Sequence, residues 1–145
     1  MEFKQAIAND ALAGRHAIVC GASAGIGKET ALAFAAAGAE LTLISRSADK
    51  LAEVANACRN SGAMLVHILP IDLENGMSID ALIPNHLAEV GGAQILINNA
   101  AGPPSGSLLE ATDDDFLKPL RRHLFAAQRM VRHCLPGMVE AGYGR

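Results

Sequence analysis

The sequence predicts an α/β fold, a parallel sheet wound on both faces by helices, and three observations predict it. Short aliphatic runs alternate with longer, alanine-rich amphipathic stretches along the whole chain, which is the pattern of repeated β-α units. The 145 residues include 27 Ala and 14 Gly but only five aromatic residues. Such an interior rests on small and aliphatic side chains that let helices lie close on a sheet. No repeat, linker or low-complexity stretch divides the chain, so residues 1–145 read as one unit of order β-α-β-α-β-α-β-α with four strands.

The elements follow in order. His16–Cys20 is an aliphatic strand that stops at Gly21. A helix begins near Gly25 and runs to Gly38, which has the place of a C-terminal cap. Leu41–Ser45 is the second strand, and Ser47 caps a helix in which Leu51, Val54, Ala55 and Cys58 share one face before Ser61-Gly62 ends it. Met64–Leu69 is the third strand, closed by Pro70 and followed by the loop Ile71–Gly76. Ser78–Val90 is helical, with Pro84 expected to kink it or start a second short piece. Gly91-Gly92 turns the chain into a fourth strand, Gln94–Asn98. After the loop Ala101–Ser107, Thr112 and Asp115 form a capping-box-like pair, Asp113–Asp115 suit the positive end of a helix dipole, and Pro119 predicts a kink one turn later.

Composition excludes several functions. A net charge of −3 and a pI near 5.9 are wrong for a dedicated nucleic-acid binder. The charge is unevenly spread, −8 over residues 1–115 and +5 over 116–145. Cys20, Cys58 and Cys134 are odd in number and far apart, which indicates neither a disulfide framework nor a zinc site and makes a reducing cytoplasm the default compartment. The N-terminus is charged where a signal peptide needs an apolar stretch, and the longest charge-free run, Val90–Leu109, is broken by Gly, Pro and Asn, so no membrane segment is expected.

The strongest chemical signal is Cys20-Gly21-Ala22-Ser23-Ala24-Gly25-Ile26-Gly27, between the first strand and the first helix. Glycines there allow a tight turn, admit a pyrophosphate against bare backbone and let the helix pack on the sheet while its first N–H groups face the anion. The alternative is a tight βα turn that binds nothing. The spacing G-x-x-x-G-x-G nearly imitates a phosphate-binding P-loop, since Gly27-Lys28 ends a glycine-rich run. Ala22 and Glu29, however, stand where that motif needs its opening glycine and its magnesium-binding hydroxyl. A nucleotide hydrolase is therefore the weaker reading.

In these residues the chain resembles the short-chain dehydrogenase/reductase family, whose T-G-x-x-x-G-I-G loop is matched from Gly21 to Gly27 with Cys20 for Thr. Its N-N-A-G motif is matched by Asn98-Asn99-Ala100, with Ala101 for Gly. Asp72 has the place of the family's adenine-contacting Asp, with Leu73 beside it. Leu135-Pro136-Gly137-Met138 and Gly142–Arg145 look like the approach to its fifth strand. Among its members the chain looks closest to 3-oxoacyl-carrier-protein reductase-like proteins. The resemblance implies an incomplete Rossmann-type doubly wound parallel sheet and an NAD(P) cofactor held by Gly21, Ser23, Gly25, Ile26, Gly27, Ser45, Arg46, Asp72, Leu73, Asn99 and Ala100. It also implies hydride transfer to or from a small carbonyl or alcohol substrate, a class that includes acyl thioesters. The second strand ends in Ser45-Arg46, which offers a guanidinium to a 2′-phosphate and no carboxylate to repel it, so NADP is expected over NAD. The alternative is that Arg46 is a solvated loop residue.

The resemblance also implies a Ser and a Tyr-x-x-x-Lys, spaced to put ammonium and phenol on one helix face. Tyr143 is the single Tyr, two residues follow it, and its setting marks it as a turn before a fifth strand. The 145 residues are accordingly read as a truncated first part of a domain of about 250 residues, without turnover by themselves. The rival reading is a dinucleotide-binding module that catalyses nothing. His123 aligns with the family's catalytic Asn, against the plainer reading of a helix-surface His. The basic run Lys118, Arg121, Arg122, Arg129, Arg132 suits a solvated or subunit-facing surface better than an acidic carrier. In the family this helix commonly lies at a dimer interface, which implies a homo-oligomeric parent. His16 and His67 read as satisfied core or edge residues, and no metal-ligand spacing is present. The loop Pro103-Pro104-Ser105-Gly106 either borders substrate or is a rigid connector, and the fourth strand is expected to be an open aliphatic edge.

Overall fold

All five residues of β1 (His16–Cys20) are buried, because both faces of this central strand are covered. The computed structural model describes residues 10–102 and 105–145. After β1 come α1 (Gly25–Ala36), β2 (Glu40–Ser45), α2 (Ala48–Asn60), β3 (Val66–Pro70), α3 (Gly76–Val90) and β4 (Ile95–Ile97). Then α4 (Asp113–Leu120), a π turn (Arg121–Phe125) and α5 (Ala126–Glu140) form one continuous helical rod. The sheet order is β3-β2-β1-β4, every pair parallel, with Val19 opposite Leu43 and Ile97. This is the expected Rossmann-type α/β architecture.

Strand alternation divides the core in two. Ala17, Val19, Leu41 and Leu43 point to one face, against Ala31 and Ala35 of α1 and Leu51, Val54 and Cys58 of α2. Ile18, Cys20 and Ile44 point to the other, against Ile79 and Ile83 of α3 and Ala126, Met130 and Cys134 of α5. The small alanines of α1 let that helix sit close on β1, as the composition predicts. Helix ends follow local chemistry. Gly38 adopts φ +83 behind α1, and the Ser47 hydroxyl accepts from the Lys50 amide at 3.4 Å at the head of α2. At the start of α4 the Asp115 carboxylate accepts from both the amide and the hydroxyl of Thr112, at 2.9 and 2.8 Å.

Several expectations need correction. The third strand begins at Val66, because Met64 is exposed beyond the turn and pairing starts only where Leu41 N–H reaches Leu65 O. α3 begins at Gly76, capped by the Asn75 side chain on Ser78 N–H at 3.2 Å, and runs through Pro84 with no second piece starting there. β4 is three residues long. The irregularity expected at Pro119 takes the form of the π turn that begins two residues later. The free side of β4 is met at one point by the chain itself: Arg145 N–H donates to Gln94 O (3.0 Å) and Leu96 N–H donates to Arg145 O (2.9 Å), a step of parallel ladder. Most of the basic run is paired, although Lys118 and Arg132 stay exposed and Arg121 is exposed with no ion pair among the described residues. Lys118 faces Asp114, Arg122 grips Glu74, and Arg129, Arg132 and His133 converge on Asp80 of α3. Those contacts hold Asp80 below the usual carboxylate range, first through the His133 hydrogen bond.

Near the amino ends of the strands, three imidazoles cluster under α3. His16 Nε2 lies 2.7 Å from Thr42 Oγ1, which lies 2.6 Å from His86 Nε2, and the His67 ring is 5.3 Å from that of His86. His16 is thus not fully satisfied as the sequence suggested: its buried Nδ1 has no hydrogen-bond partner among the described residues, with Glu40 3.7 Å away. Burial holds His16 below its ordinary value, helped by repulsion from His86 and His67 and opposed by Glu40. Burial also lowers His86, with His67 adding to the shift and Glu89 opposing it. Depressed imidazoles mean that the unfolded chain binds more protons as pH falls through about 6.5, so folding stability is full above that pH and lost below it. Thermal melts are expected to show a lower Tm at pH 5.5 than at pH 7.5, with a smaller drop in His86→Gln.

Candidate functional site

The carboxyl ends of all four strands open into one cleft of about 420 Å³. Gly21, Ser23, Gly25 and Ile26 reach it from the β1–α1 turn, and Ser45 and Arg46 from the end of β2. Asp72 and Leu73 come from the loop after β3, and Asn99 and Ala100 from the end of β4. Only Gly27 of the sequence-predicted set is absent from the lining, because it packs underneath. A Cβ on Gly27 would stand 2.3 Å from Gly21 O, and one on Gly21 2.5 Å from Asn99 Nδ2. Asn99 Nδ2 in turn donates to Cys20 O and Gly21 O at 3.4 and 3.5 Å, tying β4 to the turn. Gly25 is different: its φ of +55 needs glycine, yet a Cβ there would meet nothing within 4 Å. The turn is therefore packed below Gly21 and Gly27 and open above Gly25.

What the cleft lacks is a set of internal partners. The N-cap of α1 is Ala24, which has no side-chain acceptor, so the first N–H groups of α1 face the cleft without a cap. Ser45 Oγ is buried without a hydrogen-bond partner among the described residues. A ligand with acceptor oxygens along its length, as a dinucleotide has, fits both vacancies. Asp72 is exposed at the far side and folds back on its own loop, its Oδ1 accepting from Glu74 N–H at 3.0 Å.

Three polar residues that the sequence reading did not assign to the cleft also line it. Ser47 and Lys50 stand beside Arg46 on the first turn of α2. Lys50 lies four residues beyond Arg46, a signal that was present in the spacing. Arg122 enters from the π turn, 48 residues from the Glu74 it grips, and no local pattern announces it. Among the described residues no group of three His, Cys, Asp or Glu is placed to hold a metal ion, and no helix is long and apolar enough to cross a membrane.

Comparison with known proteins bears on what such a cleft is. A family model described as short chain dehydrogenase matches residues 15–145. The chain belongs to the short-chain dehydrogenase family. Among its relatives, a fatty acyl-CoA reductase of Acinetobacter baylyi is 34% identical over 143 residues, 97% of this chain and 48% of that protein. L-Sorbose reductase from Gluconobacter frateurii, solved with NADPH and L-sorbose, is 31% identical with a TM-score of 0.86 over 94% of this chain and 52% of that one. A metagenomic short-chain oxidoreductase in complex with NADP is 30% identical, with a TM-score of 0.85 over 92% and 60%. The chain thus spans about half the length of the short-chain dehydrogenases it matches.

The remaining candidates fall on either side of this short-chain dehydrogenase cleft. His123, on the π turn, is exposed and has Nε2 3.0 Å from Ala101 O, at the β4 end. It also borders a second, more open cavity of about 720 Å³ with Ser105, Gly106 and Ser107, while Pro103 and Pro104 lie outside the described residues. Tyr143 lies at the opposite end of the sheet, its ring 3.9 Å from the Arg15 guanidinium and 5.0 Å from that of Arg145, so the phenol packs rather than faces the cleft. Cys20 fills the βα corner, and burial pushes its thiol up to about 12, with Cys134 adding to the shift. Such a thiol stays protonated and inert.

The glycine geometry makes distinct expectations for three variants. Gly27→Ala is expected to destabilise the fold by about 1–3 kcal/mol, because the new methyl meets backbone. Gly21→Ala is expected to do the same, with its positive φ adding to the cost. Gly25→Ala is expected to cost about 1–2 kcal/mol through φ alone and to weaken dinucleotide binding. Urea denaturation checks the stabilities, and calorimetric titration with NADPH checks the binding.

Proposed function

We propose that this chain is the cofactor-binding part of an NADP-preferring oxidoreductase that transfers hydride between nicotinamide and a carbonyl or alcohol carbon. The observation that carries the proposal is the convergence of the β1–α1 glycine turn, the Ser45–Arg46 end of β2, Asp72 and Asn99–Ala100 on one cleft at the strand ends. In this reading the uncapped N–H groups of α1 hold a pyrophosphate over Gly25, and the Ser45 hydroxyl gains a partner that it does not have among the described residues. Arg46, with Ser47 and Lys50 beside it, receives a 2′-phosphate, and no carboxylate of β2's end opposes it. Asp72 and Leu73 border the adenine. In the sheet order β3-β2-β1-β4, an adenosine half over β2 and β3 leaves the nicotinamide half to Asn99 and Ala100 over β4. When bound, the nicotinamide supplies the hydride. The NADPH and NADP of two related structures support the cofactor class.

The substrate class is a small carbonyl compound or alcohol, acyl thioesters included, supported by the fatty acyl-CoA reductase among the relatives. His123, at the nicotinamide end, is placed to donate or accept a proton there. The whole protein is read as a cytoplasmic homo-oligomer, supported by the exposed Phe116, Leu124 and Phe125 on α4 and the π turn. A second reading, a binding module without turnover, is favoured by the place of Tyr143, which offers no acid or base to the cleft.

Titration of the chain with NADPH and NADH tests the cofactor assignment. Arg46 and Lys50 predict NADPH tighter by about tenfold or more, an advantage that Arg46→Ala removes, as two charge-assisted contacts would give. Tighter NADH, or unchanged NADPH affinity in Arg46→Ala, contradicts it. Residues 1–145 alone are expected to show no NADPH-dependent carbonyl reduction, and robust turnover would overturn that expectation.

A further inference from the structure

Arg122 is a cation in the cleft wall that does not face the cleft as a free charge. Its Nε donates to Glu74 Oε1 at 3.0 Å, a second nitrogen of the same guanidinium pairs with that oxygen, and Nη1 donates to Ala101 O at 3.1 Å. Arg122 and Glu74 side chains are only 19% and 26% exposed, so the pair is shielded from water. It thereby joins three segments distant in sequence: the loop after β3, the loop after β4 and the π turn.

The loop after β4 needs such a tie. Ala101 and Gly102 are exposed, and among the described residues Ala100, Ala101 and Gly102 make no hydrogen bond other than those at Ala101 O. That carbonyl takes one donor from Arg122, and His123 Nε2 is 3.0 Å away, so its two lone pairs can both be occupied from the π turn. Both residues lie on the π turn, Arg121–Phe125. Two nitrogens of the planar guanidinium converge on Glu74 Oε1, which fixes the plane and so directs its remaining N–H groups.

We propose that Arg122, oriented by Glu74, is a positioning residue that holds the Ala100–Gly102 backbone in place at the nicotinamide end of the cleft, so that the loop meets the cofactor preformed. This rests on the cofactor reading above. It follows that Arg122 acts directly on the β4 half of the cleft, through Ala101 O; on the adenine side it touches only the Glu74 side chain, and the Asp72 carboxylate holds that loop on Glu74 N–H without it. Preordering a loop raises affinity by sparing the ordering cost on binding.

The test compares NADPH with 2′-phospho-ADP-ribose, which lacks the nicotinamide, on the wild-type chain and on Arg122→Met, Arg122→Lys and Glu74→Gln. Arg122→Met is expected to weaken NADPH about five- to tenfold, the size of one or two charged hydrogen bonds, and to leave 2′-phospho-ADP-ribose within about twofold. Glu74→Gln is expected to move in the same direction, the double variant to lose no more than Arg122→Met alone, and Arg122→Lys to restore little, since an ammonium has no fork. Without any ligand, amide exchange at Ala100–Gly102 is expected to be at least about fivefold faster in Arg122→Met, for the same lost bonds. Unchanged exchange overturns the anchoring. Equal losses for both ligands, or none, overturn the positioning role. A wild-type chain that binds neither ligand overturns the cofactor reading and the positioning role with it, while the exchange result still decides the anchoring.

Discussion

The two ends of the β1–α1 turn and one side-chain amide are pressed together beneath the strand-end cleft. Gly27 lies on the Gly21 carbonyl with no room for a Cβ, and the Asn99 amide is pressed against both glycines while reaching Cys20 O and Gly21 O. Through this contact the end of β1, the head of α1 and the end of β4 hold one another. If α1 stood farther off, its uncapped N–H groups would no longer line the cleft beside Ser45, and the end of β4 would lose its fixed distance from the turn. The cleft is thus the upper surface of a packing contact, and the glycines serve it in two ways, Gly27 by closeness, Gly25 by conformation and Gly21 by both.

The sheet separates chemistry from structure along its strands. At the carboxyl ends stand polar groups without partners among the described residues, the Ser45 hydroxyl and the first amides of α1. At the amino ends polar groups are mostly consumed internally: Thr42 lies between two imidazoles, and Tyr143 packs between two guanidiniums. The α3–α5 side is fastened by ion pairs at Glu74 and Asp80, and only the first of these also touches the cleft. The acidic first part and basic last part of the sequence are therefore in good measure partners within the fold, which accounts for much of a charge asymmetry that by itself suggested an external one.

The fold and the convergence of the β1–α1 turn, Ser45 and Arg46 on one cleft were legible in the sequence because their determinants are local. The glycine spacing, the strand that ends in Ser45-Arg46 and the caps Ser47 and Gly38 each act within a few residues. What the sequence did not reveal is long-range. Arg122 meets Glu74 and Ala101 only after α5 has packed on α3, and the His16–Thr42–His86 chain joins two strands and a helix. Proline was misjudged for a related reason. Pro84 was expected to kink α3 or start a second piece; no second piece starts there, and buried Ile79 and Ile83 before it and His86 after it hold the helix on the sheet. His67 and His16 looked alike as strand histidines, and only tertiary packing leaves His16 Nδ1 buried without a hydrogen-bond partner among the described residues.

The account stands or falls on whether the strand-end cleft is where a dinucleotide binds. Backbone amide chemical shifts of the labelled chain, followed as NADPH is added, report this residue by residue. The account predicts shifts concentrated at Gly21–Gly27, Ser45–Lys50, Asp72–Leu73 and Asn99–Ala101, with the amino-end cluster of His16, Thr42 and His86 unmoved. Shifts centred on the second cavity around Ser107 and Phe116, or no shifts at saturating NADPH, would contradict it.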